Sequence, residues 1–225
     1  MSAIFVTATG TDIGKTFVVG ALIQQLRRNG HSVDALKPVV TGFDPAKAVA
    51  SDAGQLLAAL GRPITPAEID RISPWRFAEP LAPDLAAARE GRKLDFDALV
   101  AFSQKSIRQN RGTLLIEGIG GVMVPLDEQH TVVDWIAPLN VPIILVAGSY
   151  LGSISHTLTC LDVLRRRELF VRAVVINETP DAAVSVEDTI KSVSRFARPI
   201  PVVGLMRQAD SQENPAIKQI LAILQ

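Results

Sequence analysis

The residues Gly14-Lys15-Thr16 stand where an apolar run, Ile4-Phe5-Val6-Thr7-Ala8, gives way through Thr9-Gly10-Thr11-Asp12-Ile13 to a helical pattern. The chemistry suited to that junction is phosphate binding. A helix start presents N–H groups without intrahelical partners, and the helix dipole adds partial positive charge, so a polyphosphate is favoured there. Gly14 lets the backbone approach the ligand, and Lys15 would reach the terminal phosphates. The Thr16 hydroxyl would be a ligand of the magnesium ion that accompanies a nucleoside triphosphate. Thr9 lies five residues before Gly14, where the common loop carries glycine, and Gly10 partly compensates. The apolar spacing of Val18, Val19, Leu22, Ile23 and Leu26 supports a helix after the loop.

Further candidates fall at the ends of other apolar runs. Lys37, in Leu36-Lys37-Pro38-Val39-Val40-Thr41-Gly42, could bring a second cation to face the phosphates, although a solvated strand-end lysine has the same pattern. Glu117 closes Leu114-Leu115-Ile116 and is followed by Gly118-Ile119-Gly120-Gly121. An acid there, with glycines opening space beside it, suits a magnesium ligand. Asp52 opens a helical pattern, where the dipole favours an acid even without a function. Gly152-Ser153 opens another, whose N–H groups could hold a carboxylate or phosphate. Asn177 ends a strand pattern, and its amide could read a purine edge or simply form a turn. His156 has no partner in the sequence that would make it a base, so a place on the helix surface or in core packing is its expected role.

The elements that must position these residues alternate. Strands are expected at Ile4–Ala8, Val33–Pro38, Thr113–Glu117, Val141–Ala147, Val171–Asn177 and Pro201–Leu205. Most are β-branched runs without polar alternation, as in a parallel sheet covered on both faces. Helices are expected near 15–29, 52–60, 95–109, 153–167, 184–196 and 215–224. The expectation is a three-layer α/β fold in one domain, residues 1–225, with the candidates gathered at the carboxyl ends of the strands. The segment from Arg62 to Arg92, with prolines at 63, 66, 74, 80 and 83, reads as a loop-rich excursion.

Composition narrows the partners. The chain has 225 residues, 48% of them hydrophobic, and its charges balance at +0 without long runs of either sign. A nucleic-acid partner held by counterion release therefore has no support. No apolar run reaches the length of a membrane span, and the first residues lack the pattern of a signal peptide, so a cytoplasmic location is expected. The single Cys160 excludes an internal disulfide and sits among Leu158, Leu161 and Leu164, as a small packing residue would.

Taken in order, these marks resemble the dethiobiotin synthase family over nearly the whole chain. They are Phe5-Val6-Thr7 with Gly14-Lys15-Thr16, Lys37-Pro38-Val39-Val40-Thr41-Gly42, Phe77-Ala78-Glu79-Pro80, and Glu117-Gly118-Ile119-Gly120-Gly121 continuing through Pro125-Leu126. Asp134-Trp135, Leu151-Gly152-Ser153-Ile154-Ser155-His156 and Asn177 complete the series. The resemblance implies a P-loop NTPase fold and an ATP-dependent cyclo-ligase in biotin biosynthesis, acting on 7,8-diaminopelargonate and CO2. It further implies ATP held by Asp12, Ile13, Gly14, Lys15, Thr16, Phe17, Asp52, Glu117, Gly118, Ile119, Gly120 and Asn177, with Mg2+ on Thr16, Asp52 and Glu117. Substrate would meet Thr11, Lys37 and Thr41, and its carboxylate would meet Gly152 and Ser153 of the other subunit in a homodimer with shared sites. Lys15 and Lys37 would be catalytic. Two departures stand out: Ala8-Thr9-Gly10-Thr11 where the family commonly has Gly-Thr-Asp-Thr, and Leu205-Met206-Arg207-Gln208 where it often has a proline-containing turn beside the base. The rival reading is a ParA/MinD-like dimerising switch ATPase, which usually carries a lysine where Gly10 stands.

Overall fold

Strand β1 (Ala3–Ala8) is buried along its whole length, as its uninterrupted apolar run requires. In the computed structural model, which describes residues 3–180, 182–206 and 214–224, the chain continues from β1 through α1 (Lys15–Arg28), β2 (Val33–Leu36), β3 (Val39–Thr41), α2 (Asp52–Leu60), α3 (Pro66–Ile72), β4 (Trp75–Phe77), α4 (Pro83–Arg89) and α5 (Phe96–Gln109). It then forms β5 (Thr113–Glu117), α6 (Val132–Ile136), β6 (Ile143–Gly148), α7 (Ser153–Arg166), β7 (Val171–Asn177), α8 (Val186–Ala197), β8 (Val202–Leu205) and α9 (Pro215–Leu224).

Six strands make one sheet in the order β2-β5-β1-β6-β7-β8, and every pairing in it is parallel. The registers pair Val6 with Glu117 and with Ile144, and Gly148 with Asn177, so the carboxyl ends of the central strands share one edge. Helices cover both faces, with α1, α2 and α9 packed as one group and α7 with α8 as another. Phe5 meets Trp135 edge-on at 4.8 Å beneath the sheet, and the Trp135 indole N–H donates to the Ser103 hydroxyl at 3.0 Å. That bond lets a polar-tipped ring be fully buried.

Several boundaries differ from the expectation for identifiable reasons. The strand expected over Val33–Pro38 leaves the sheet after Leu36, because the Lys37 N–H turns to the Ile72 carbonyl at 3.0 Å. Val39–Thr41 then pairs in parallel with β4, a second small sheet that the short runs did not reveal. β6 begins at Ile143 and β8 at Val202, since Pro142 and Pro201 have no N–H to give a ladder. The excursion from Arg62 to Arg92 is not mainly loop. Pro66 and Pro83 occupy first-turn positions of α3 and α4, where no N–H is required, and Thr65 caps α3 by accepting from the Glu68 N–H. Helix α6 was also unforeseen, being only five residues long.

Candidate active site

The phosphate loop is shaped by a residue far away in sequence. Asn177, at the end of β7, donates from Nδ2 to the Ile13 carbonyl at 3.0 Å. Gly14 has φ 92°, and a Cβ built on it would lie 2.2 Å from that same Nδ2. Only glycine satisfies both the left-handed backbone and the close approach. Lys15 is buried, with its ammonium donating to the carbonyls of Gly10 at 2.9 Å and Gly120 at 2.8 Å. Burial and the nearby Lys37 charge lower its pKa to about 8 against the opposing pull of Glu117 and Asp52.

Opposite the loop, three charged groups from three strand and helix ends converge. The Lys37 ammonium donates to Glu117 Oε1 at 2.6 Å, to Asp52 Oδ2 at 2.9 Å and to the Gly118 carbonyl at 2.9 Å. Burial works against its charge, but Glu117 and Asp52 outweigh that and raise its pKa above the ordinary lysine value. Burial would raise the Asp52 carboxyl, and the ion pair with Lys37 instead holds it below the usual range. Asp52 also opens α2, whose cap is the Ser51 hydroxyl accepting from the Gly54 N–H at 3.1 Å. Its dipole position and its charge partnership therefore coexist. The Thr16 hydroxyl donates to Glu117 Oε1 at 2.8 Å, while Oε2 of the fully buried Glu117 has no hydrogen-bond partner.

A cleft of about 820 Å³ opens above these groups. Of the residues singled out from the sequence, Thr11, Asp12, Gly14, Lys15, Thr16, Phe17, Lys37, Thr41, Asp52, Glu117, Ile119 and Gly120 line it. Ile13 and Asn177 line an adjoining cavity of about 180 Å³ with Asp12, Gly14 and Phe17. Gly118 enters through its carbonyl on Lys37. Gly152 and Ser153 line neither space; they start α7 beyond β6 on the same sheet edge, Gly152 at φ 96° and Ser153 buried with its hydroxyl unpartnered. Arg207 and Gln208 lie outside the described residues. Sequence reasoning did not assign Ser51, Gln55, Leu81, Ala82, Pro83 or Val124 to the site, yet they line the cleft. The one usable signal was Phe77-Ala78-Glu79-Pro80, because Pro80 joins this wall and packs against Gly42.

Two other singled-out residues lie on α7 outside the cleft, His156 exposed on the helix surface and Cys160 partly buried. The Tyr150 hydroxyl and His156 Nδ1 are 2.8 Å apart. Cys160 is half-buried in α7, and burial pushes its thiol up to about 11, so it is a poor nucleophile. Among the described residues no three His, Cys, Asp or Glu side chains group as a metal cluster. Thr16, Asp52 and Glu117 instead offer hard oxygen donors, and the orphaned buried Oε2 of Glu117 suits a small hard cation. No described helix is long and apolar enough to cross a membrane.

Known proteins resemble the chain along most of its length. The AAA domain family matches residues 2–216. The chain is 50% identical to the ATP-dependent dethiobiotin synthetase BioD of Acidiphilium cryptum, over 90% of this chain and 92% of the relative. It is 46% identical to that of Phenylobacterium zucineum, over 99% and 96%. Solved structures of low identity share the fold: the MinD cell division protein of Aquifex aeolicus at 14% identity and TM-score 0.57, covering 99% of this chain and 95% of that one. The signal recognition particle receptor FtsY of Elizabethkingia anophelis is similar at 14% and 0.53, covering 99% and 65%. With a phosphate loop, two converging lysines and two acids in one cleft, and relatives this similar along their length, the chain belongs to the family of ATP-dependent dethiobiotin synthetases.

Proposed function

We propose that this chain closes the ureido ring of dethiobiotin from 7,8-diaminopelargonate and CO2, converting ATP to ADP and phosphate, as one catalytic unit of residues 1–225 working in the cytoplasm as a homodimer. The observation that carries the reading is the convergence of Lys15, Lys37, Asp52 and Glu117 in a cleft that also holds Thr11 and Thr41. One substrate amine adds to CO2, loses a proton and becomes a carbamate. A carbamate oxygen attacks the γ-phosphorus of ATP and expels ADP. The second amine then attacks the carbonyl carbon of the mixed anhydride, loses a proton and expels phosphate.

The protein supplies little covalent chemistry in such a sequence; its work is positioning and charge neutralisation. The loop N–H groups from Asp12 to Thr16 and the Lys15 ammonium would hold the phosphates. Phe17, Gly118, Ile119 and Gly120 would complete the walls, and Asn177 would border the nucleoside. Thr11, Thr41 and Lys37 would hold the carbamate in line with the γ-phosphate. Thr16, Asp52 and Glu117 would hold Mg2+, which when bound screens the charge of the transferred phosphoryl group. Gly152 and Ser153 of the other subunit would receive the substrate carboxylate on the α7 N–H groups.

The direct test is phosphate release from ATP with and without diaminopelargonate and bicarbonate. Release should require both, and dethiobiotin should accumulate in equal amount. Hydrolysis indifferent to both would turn the reading toward a switch ATPase. Lys37→Ala should keep nucleotide affinity within about threefold, because Lys15 and the loop remain, while kcat falls roughly 10²-fold or more. A near-normal kcat would remove Lys37 from the chemistry.

A further inference from the structure

We infer that Lys37 is a resident counter-ion in the seat of the divalent cation, which a bare metal ion cannot displace and a metal nucleotide can. This rests on the reading of Thr16, Asp52 and Glu117 as the metal-holding groups. Three contacts carry it. An ammonium has three N–H bonds, and those of Lys37 are spent on Glu117 Oε1, Asp52 Oδ2 and the Gly118 carbonyl. None is left for a phosphate or carbamate. Glu117 Oε1 accepts from Thr16 as well as from Lys37, so the ammonium holds oxygens of the same groups that a cation would use and leaves Glu117 Oε2 unpartnered.

Charge decides what can enter. Lys15 and Lys37 offset Asp52 and Glu117, with Lys15, Lys37 and Glu117 buried and Asp52 41% exposed at the mouth, so the four charges sum to zero. A bare divalent ion would add two positive charges and would strip Lys37 of its two carboxylates in a place where the side chain is 3% exposed. Removing the partners of a buried charge is strongly unfavourable. A metal nucleotide arrives as a net anion, and its phosphate oxygens give the freed ammonium new acceptors. Metal and nucleotide therefore bind with positive coupling whose source is Lys37, and by linkage each raises the affinity of the other by the same factor. Lys37 reaches the substrate side only after both are in place.

The experiment is a Mn2+ titration followed by electron paramagnetic resonance at pH 7, on wild type, Lys37→Met and Lys37→Gln, with and without ADP. Without ADP the wild type should bind Mn2+ weakly and each variant at least tenfold more tightly. Adding Glu117→Gln to either variant should abolish that gain. Lys37→Gln retains a hydrogen-bond donor should Lys37→Met fail to fold, and thermal melts report on both. Variants that bind bare Mn2+ no more tightly than wild type overturn the inference. So does wild-type protein that binds bare Mn2+ as tightly as it does with ADP, a result that needs no variant. If ADP binds the wild type but never brings protein-bound Mn2+, the metal-holding role of Glu117 and Asp52 falls first, and the inference falls with it.

Discussion

Lys15 and Lys37 are each held by partners far away in sequence, and Lys15 shows what its surroundings do to its proton. Buried among the Gly10 and Gly120 carbonyls and near Lys37, it titrates at about 8 instead of near the ordinary 10.5. A bound polyphosphate favours the ammonium and so raises that pKa. Between the two values the free protein holds fewer protons than the complex, and binding takes protons up. At pH 8 the uptake should be about half a proton per site, falling to about a tenth at pH 7 and approaching one at pH 9. Calorimetric titration of ADP in buffers of different ionisation enthalpy measures it directly. Heats independent of the buffer at pH 8 to 9 would refute the lowered value. Lys15 itself was legible from Gly14-Lys15-Thr16, because consecutive residues at a strand-to-helix junction report local geometry. The double ion pair of Lys37 was not legible, since its partners sit at positions 52 and 117 and only strand order brings them together. The Asn177 bond to Ile13 was hidden for the same reason.

Short elements are fixed by their caps. In α6 the Asp134 carboxylate accepts from the Thr131 N–H at 2.9 Å and hydroxyl at 2.8 Å, and also pairs with Arg167 at 2.9 Å. Burial would raise its pKa, but the Thr131 bonds and Arg167 hold it below the ordinary carboxylate range. Such a depressed group stabilises the fold above its unfolded pKa and loses that contribution as pH falls through the folded value. Asp134→Ala should therefore cost about 1–2 kcal/mol at pH 7, with Trp135 beside it losing its fixed entry into the core. The gap between the two urea midpoints should narrow below about pH 4. A gap unchanged from pH 7 to pH 3 would mean that the charge contributes nothing. Among the elements, the six sheet strands were legible because β-branched runs without polar alternation have few other uses. β3 and β4 escaped because three residues are too few to show a period. α3 and α4 escaped because proline reads as a breaker until its place at a first turn is known.

For the whole molecule, the cleft leaves out Gly152 and Ser153, which stand on the same sheet edge. If a partner subunit brings them to the substrate, two inactive homodimers should rescue each other. Gly152→Asp places a negative side chain at a residue with φ 96°, and Lys37→Ala removes the buried cation. Refolded together in equal amounts, they should form about half mixed dimers, each with one intact and one doubly defective site. Activity should return to roughly a quarter of wild type. Recovery no greater than that of the separate variants, with mixed dimers seen by native mass spectrometry, would place both residues in one subunit's site. The sheet order also bears on how the chain is born. β1 is made first, yet its neighbours β5 and β6 begin at Thr113 and Ile143. At about 5–20 residues per second, an emerging chain carries Ala3–Ala8 unpaired for roughly 5–22 s, until β5 has been made. The strand that leads into the Gly14-Lys15-Thr16 loop thus waits for a neighbour made more than a hundred residues after it. Until then it is an apolar strand without a sheet, a natural client for a chaperone at the ribosome exit.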